Sequence, residues 1–202
     1  MTDNFAHRAN DWDQPSKIEM TTIFADALMR EITLEKQWKA LEIGAGTGLV
    51  GLQLLPKLST VVFEDTSEAM LNVLKQKLTG DEAVEIVHGE VFEYTKQDID
   101  LVFSCMAFHH IPDIDSTLKH LYDITNEGAK IVVGDLRTED GSFHRFEAIP
   151  HKGFDTDELA AKFTQAGFKV LSTTTYNTLK RERVAGVVGD YDQFMQIGRA
   201  HV

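Results

Sequence analysis

Four glycines fall within eight residues in Leu41-Glu42-Ile43-Gly44-Ala45-Gly46-Thr47-Gly48-Leu49-Val50-Gly51, directly after the apolar run Lys39–Ile43. Each glycine costs conformational entropy on folding, so a cluster at the junction of a strand and a helix needs a physical reason. A tight turn whose backbone approaches a ligand supplies one, because the first N–H groups of the next helix lack intrahelical partners and point outward. Glu42, two residues before the first glycine, narrows the ligand. A carboxylate there suits a cation, an ammonium group in particular, through a charge-assisted hydrogen bond. Gly46-x-Gly48-x-x-Gly51 also matches the dinucleotide-binding pattern. That match leaves Gly44 without a role and sets the charge of Glu42 against a diphosphate.

Histidine is the second residue type able to do chemistry. His109 and His110 stand in Phe-His-His-Ile-Pro, His144 closes Gly-Ser-Phe-His and His151 opens His-Lys-Gly-Phe, so four of the eight histidines fall in two stretches. An unperturbed imidazole titrates near working pH and suits a general base. His110 and His144 are the candidates for that role or for orienting a substrate, with His109 and His151 as walls of the same pocket. No metal site is expected. The histidine spacings carry no ligand signature, and Cys105, the single cysteine, excludes an internal disulfide and any Cys-rich zinc or iron–sulfur centre.

The elements that must position these residues alternate along the chain. Lys39–Ile43, Val61–Glu64, Val84–Val87, Leu101–Met106 and Lys130–Gly134 have the length and composition of buried strands. Between them Met20, Ile23, Phe24, Ala27, Leu28 and Ile32 recur at helical spacing, as do Met70, Leu71, Leu74 and Leu78, and Ile114, Leu118, Leu121 and Tyr122. A further helix starts near Phe154, with Thr156 expected as its N-cap, and stops at Gly167. Strands separated by helices imply crossovers, hence a mostly parallel sheet covered on both faces. Lys169–Leu179 and Tyr191–Arg199 are joined only by the Gly-containing link Val184–Asp190, so they are expected to pair antiparallel at one edge of the sheet. Arg137–Gly153 has no periodic pattern and reads as a surface loop. Ligands of open parallel sheets sit beyond the carboxyl ends of the strands, which places the glycine turn and both histidine stretches near one cleft.

With these residues in order, the sequence resembles the class I S-adenosylmethionine-dependent methyltransferases over about residues 38–200. Glu42-x-Gly44-x-Gly46-x-Gly48 is similar to their first motif, whose loop wraps the methionine part of the cofactor; Ala45 and Thr47 lie in it. Phe63-Glu64-Asp65-Thr66-Ser67-Glu68-Ala69-Met70-Leu71 resembles the second-strand motif, which implies that Asp65, or its neighbour Glu64, holds the ribose hydroxyls, with Thr66 and Met70 beside them. His88-Gly89-Glu90-Val91 resembles the segment beside the adenine, placing Glu90 near the exocyclic amine and the Val91 N–H near the ring. Asp100 to Pro112 resembles the fourth strand and its loop, with Cys105 and Met106 at the cofactor, and Gly128 to Leu136 the fifth strand. Phe5 to Asp13 resembles the aromatic segment preceding the first helix of many small-molecule methyltransferases, so Trp12 would wall the substrate site. The resemblance implies a Rossmann-like, doubly wound α/β fold in a single domain, with seven strands, mostly parallel, and an antiparallel edge strand. Residues 1–36 would be a helical cover and residues 37–202 the S-adenosylmethionine-binding core.

The implied activity is direct in-line methyl transfer from S-adenosylmethionine to a small molecule, yielding S-adenosylhomocysteine. Two alternatives stay open: an NAD(P)-dependent oxidoreductase using Gly46, Gly48 and Gly51, and a protein that binds S-adenosylmethionine without turnover. Composition bounds the partners. In 202 residues, 20 Lys and Arg face 32 Asp and Glu, a net charge of −12. That balance opposes phosphate backbones and anionic lipid, so neither nucleic acid nor membrane is expected as a partner. Residues 1–10 are polar without an apolar leader core, and no apolar run reaches bilayer length, which points to a cytoplasmic protein, monomer or homodimer.

Overall fold

The apolar runs form strands β1 (Lys39–Ile43), β2 (Thr60–Asp65), β3 (Val84–His88), β4 (Ile99–Cys105), β5 (Thr125–Leu136), β6 (Lys169–Val184) and β7 (Val187–Arg199). The helices are α1 (Pro15–Glu31), α2 (Gly51–Leu54), α3 (Glu68–Lys77), α4 (Ile114–Asp123) and α5 (Thr156–Ala166). The computed structural model of the chain describes residues 5–144 and 148–202. Among these residues the seven strands form one sheet in the order β3-β2-β1-β4-β5-β7-β6. β1 to β5 pair in parallel, and β7 runs antiparallel to both β5 and β6.

Alternation along the strands sorts the core into two layers. Leu41, Val62, Val102, Ile131 and Val133 face Leu118 and Leu121 of α4 and Leu159 and Phe163 of α5. Their neighbours Ala40, Val61, Phe63, Leu101, Phe103 and Val132 face Phe24 and Leu28 of α1, Leu54 of α2 and Leu71 and Leu74 of α3. Strands buried on both faces need apolar residues at every position, which is why these segments read as continuous runs.

Three local expectations change. Asp155, not Thr156, caps α5: its Oδ1 accepts from the Asp157 and Glu158 N–H groups at 2.9 and 3.1 Å. A carboxylate satisfies two orphan donors and complements the helix dipole, whereas the Thr156 hydroxyl accepts from Arg137 Nη1 at 2.9 Å instead. β6 and β7 are longer than expected and meet around Ala185 and Gly186, so the link shrinks to a tight hairpin turn with Gly186 at φ +76°. The Arg137–Gly153 loop is tied at its base, Thr138 N–H donating to Phe154 O (3.1 Å) and Glu139 N–H to Lys152 O (3.0 Å); its residues 145–147 lie outside the described residues. Gly167 closes α5 in the left-handed region at φ +108° as expected.

The chain order reverses between β1 and β4. The crevice beyond their carboxyl ends is the topological switch point of this sheet. No described helix is long and apolar enough to cross a membrane.

Candidate functional site

The end of β1 turns directly into the glycine segment, with Gly44 at φ +63° and Gly46 at φ +55°. Both sit where L side chains are strained, and a Cβ on Gly44 would lie 2.4 Å from the Ala107 Cβ. The turn is therefore pressed against the loop after β4. Glu42 is 3% exposed, and its Oε2 accepts the Gly51 N–H at 3.0 Å. Burial pushes the Glu42 carboxyl up to about 8; the charge of Asp65 adds to this, while the Gly51 N–H and Lys77 oppose it. A Cβ on Gly51 would stand 2.3 Å from that Oε2 and 2.4 Å from Phe63 Cε1. The third glycine of the dinucleotide-like match thus makes room for a glutamate and a phenylalanine.

At the end of β2, Asp65 Oδ2 accepts the Gly46 N–H and its Oδ1 the Ser67 N–H, both at 2.7 Å. Glu64, equally buried, reaches the Gly44 N–H at 3.4 Å, and burial with the charges of Asp65 and Glu90 raises its carboxyl well above the ordinary range. A strap from the amino-terminal side closes over this turn. Asp13 Oδ1 accepts from Thr47 Oγ1 and its Oδ2 pairs with Lys77, each at 2.5 Å, while Trp12 Nε1 would be 3.8 Å from a Cβ on Gly46. Lys17 lies 4.3 Å above the Trp12 ring, and Phe5 packs edge-on against both Trp12 and His110.

On the other side stands the loop after β4. Met106 adopts φ +58°, unusual for a side chain of its size, and its N–H donates to Gly134 O at 2.7 Å. A turn of 3-10 helix, Phe108–His110, then anchors on the fully buried Phe108. His109 is 1% exposed and Asp135, at the end of β5, is 0% exposed. Asp135 Oδ1 takes His109 Nδ1 at 2.7 Å, and its Oδ2 accepts the His109 backbone N–H at 3.1 Å. The carboxylate accepts from Nδ1 and so fixes the orientation of the imidazole, with Nε2 at the other side of the ring. The His110 and His144 ring centroids lie 4.2 and 4.6 Å from that of His109, the rings tilted by 44° and 45°.

These parts enclose one cavity of about 1220 Å³, larger than a pocket for a single drug-sized ligand. The carboxylates Glu42, Asp65 and Glu90 and the rings of Phe5, His110 and His144 all line it.

A family model for a methyltransferase domain matches residues 41–131. The chain is 30% identical over 199 residues to malonyl-(acyl-carrier protein) O-methyltransferase 1 of Ilyobacter polytropus, covering 96% of this chain and 69% of that protein. It is 29% identical over 119 residues to the demethylmenaquinone methyltransferase of Staphylococcus aureus, 56% of this chain and 49% of that one. A Haloferax volcanii chain solved in complex with the Trm112 methyltransferase activator superposes with a TM-score of 0.83 at 16% identity, covering 99% of both chains. The chain belongs to the class I S-adenosylmethionine-dependent methyltransferases.

S-adenosylmethionine is the methyl donor of these methyltransferases, which sets aside the nicotinamide alternative. The donor set of this chain fits that molecule chemically: buried carboxylates for an ammonium group and a ribose diol, and glycine N–H groups in a turn with no Cβ to fill it.

Most residues singled out in the sequence come together in this methyltransferase. Trp12, Glu42, Gly44, Ala45, Gly46, Thr47, Asp65, Thr66, Met70, Glu90, Val91, Cys105, Met106, His109, His110 and His144 all line the cavity. Gly48 does not; at φ +78° it lets Leu74 pack against the turn, where a Cβ would come within 2.4 Å. His151 also lies outside the lining. Its N–H donates to His109 O (3.3 Å) and its Nε2 bonds Ile111 O (3.0 Å), so it braces the His109 loop from behind. Cys105 is a passive wall, its thiol pushed up by burial and by the charges of Glu42 and Asp135. Sequence reasoning missed Asp135, whose one signal is an acid ending an apolar strand, and the Leu179, Arg181 and Glu182 lining from β6.

Proposed function

We propose that this methyltransferase acts on a small molecule by direct in-line transfer, with the donor at the carboxylate end of the cavity and the acceptor at the histidine end. S-adenosylmethionine supplies an already electrophilic sulfonium methyl, so the chain must hold, align, exclude water and place a proton. Glu42 and the backbone of Gly44 to Gly48 hold the methionine moiety, and Thr47 keeps the turn strapped to Asp13. Asp65 takes the ribose hydroxyls with Thr66 and Met70 alongside. Glu90 and the Val91 N–H address the adenine, and Cys105 and Met106 wall it. Trp12, His109, His110 and His144 form the acceptor end, where the proton of the acceptor must go, and His151 positions His109 from outside. Residues 1–36 act as the cover and residues 37–202 as the cofactor core.

One observation carries the reading: Glu42 is a buried carboxylate with a single backbone donor, at the switch point of the sheet, facing the cavity. A cation relieves the burial cost of its charge, and a diphosphate raises it. Two relatives carry small acceptors in their names, a malonyl group on a carrier protein and demethylmenaquinone, which supports the acceptor class. The net charge of −12 disfavours a nucleic acid. Calorimetry with S-adenosylhomocysteine and with NADH tests the donor end, the expected result being binding of the thioether and not of the nicotinamide. A metabolite-extract screen for enzymatic release of S-adenosylhomocysteine tests the acceptor class; turnover on RNA or DNA alone refutes it.

A further inference from the structure

Three imidazoles meet at the acceptor end of the cavity. Among the described residues, His109, His110 and His144 each bring one ligand atom to within 4.8 Å of the other two. Side chains at adjacent positions of a helix normally diverge. Here the 3-10 turn sets the His109 and His110 rings 4.2 Å apart, and His144 arrives from a different loop to complete the set.

We propose that His109, His110 and His144 form a three-histidine site for a divalent transition ion of the zinc type, open toward the cavity. The site stands on its own geometry; its use in methyl transfer rests on the function proposed above. Two further features support it. Asp135, fully buried, engages Nδ1 of His109 at 2.7 Å, which leaves Nε2 as the coordinating nitrogen and supplies the carboxylate that commonly stands behind a metal-bound histidine. His144 is held where it is. Glu139 Oε2 accepts the Gly141 and Phe143 N–H groups at 2.7 and 3.0 Å, Ser142 Oγ bonds Tyr191 OH at 2.7 Å, and the Phe143 ring lies 5.0 Å from that of Tyr191.

The ligand chemistry selects the ion. Three imidazoles, the ligand set among the described residues, suit zinc, cobalt or nickel and not magnesium or calcium. Tetrahedral coordination at about 2.0–2.1 Å sets ligand nitrogens about 3.4 Å apart, so the ligand atoms, within 4.8 Å of one another here, close by up to about 1.4 Å. Three histidines with one open position form a reactive arrangement, not a sealed structural one. An ion held there takes a hydroxyl or thiol of the acceptor as its fourth ligand. The O–H or S–H proton leaves to bulk solvent as the group binds the ion, before water is excluded, and the oxygen or sulfur keeps the electron pair and becomes nucleophilic.

The test is titration of the metal-free full chain with Zn²⁺ against a chromogenic chelator, and with Co²⁺ read by its visible spectrum. S-adenosylhomocysteine affinity is measured on the same samples. The expected result is one ion per chain and a tetrahedral Co²⁺ spectrum. Asp135→Asn should weaken Zn²⁺ binding by about 10–100-fold, and His109→Ala, His110→Ala and His144→Ala more than that. His120→Gln, whose ring bonds Tyr94 O and is not among the three ligands, should bind as wild type. Should buried His109 not tolerate alanine, the half-buried His144, as His144→Gln, carries the test. Wild-type protein that binds S-adenosylhomocysteine but no stoichiometric Zn²⁺ overturns the metal site and leaves the methyltransferase reading intact. Zn²⁺ binding unchanged in His144→Ala and His144→Gln also overturns it. Zn²⁺ bound through the three histidines without S-adenosylhomocysteine binding upholds the site and overturns the donor assignment instead.

Discussion

Replacing Glu42 by glutamine separates folding from cofactor binding. The glutamine keeps the volume and can still accept the Gly51 N–H through its amide oxygen, so the perturbation is the charge alone. Burial takes the Glu42 carboxyl from 4.5 to about 8. A raised carboxylate binds more protons folded than unfolded, so its contribution to stability is full below about pH 4.5 and is lost as pH rises through about 8. At about 1.4 kcal/mol per pK unit, ionising it costs the fold on the order of 5 kcal/mol. The ligand-free variant should therefore be more stable than wild type by several kcal/mol at about pH 9 and nearly equal at about pH 5, measured by urea unfolding. Cofactor binding moves the other way. Loss of a charge-assisted hydrogen bond of about 1.5–3 kcal/mol weakens S-adenosylhomocysteine about 10–100-fold. Wild-type binding below pH 8 must also expel the Glu42 proton, so affinity rises with pH and the measured heat depends on the ionisation enthalpy of the buffer. Glu64 titrates in the same direction and remains in both proteins, so the difference between them isolates Glu42. A variant less stable than wild type at high pH, or one with undiminished affinity, refutes the assignment.

Gly51→Ala should destabilise the chain by about 1–3 kcal/mol and weaken cofactor binding together, because the new Cβ meets both Glu42 and Phe63; thermal melts with and without S-adenosylhomocysteine read both effects. Met106→Val should cost about 1–3 kcal/mol and Met106→Asn much less, since φ +58° tolerates asparagine and not a β-branched residue; chemical denaturation ranks the two. Asp13→Ala removes the bond to buried Thr47 and the partly exposed ion pair with Lys77. It should cost global stability about 1–3 kcal/mol, raise the rate of proteolysis ahead of α1 and lower S-adenosylhomocysteine affinity.

Features set by local periodicity were readable from sequence, and features set by pairing were not. Lys39–Ile43 and the stripes of α3 and α4 appear where their apolar spacing puts them. β5 begins at Thr125, because the polar Asn126, Glu127 and Gly128 hide a strand start in a loop-like composition. The hairpin of β6 and β7 outran its apolar stretches for the same reason, with Lys180, Arg181 and Glu182 extending an edge strand that water reaches. In the site, the acid and glycines of the first turn share one short segment, so their spacing was informative. Asp135 and His109 lie 26 residues apart and meet only once β4 and β5 pair. For that reason the sequence points to His110 or His144 as candidate base, while the pairing of His109 with Asp135 is not legible in it. His151 looks like its neighbours in composition, and only in the fold does its ring bond Ile111 O outside the cavity lining.

The place of β7 between β5 and β6 has a consequence for how the chain is made. β6 leaves the ribosome before β7, yet its sheet neighbour is β7, so it has no edge to join until β7 arrives. Until then β5 presents an open row of backbone donors and acceptors, the kind of edge at which nascent chains stick to one another. A stop or frameshift that removes only β7 therefore unseats two strands and leaves an adhesive remnant, so loss of β7 should be as damaging to the cell as to the enzyme.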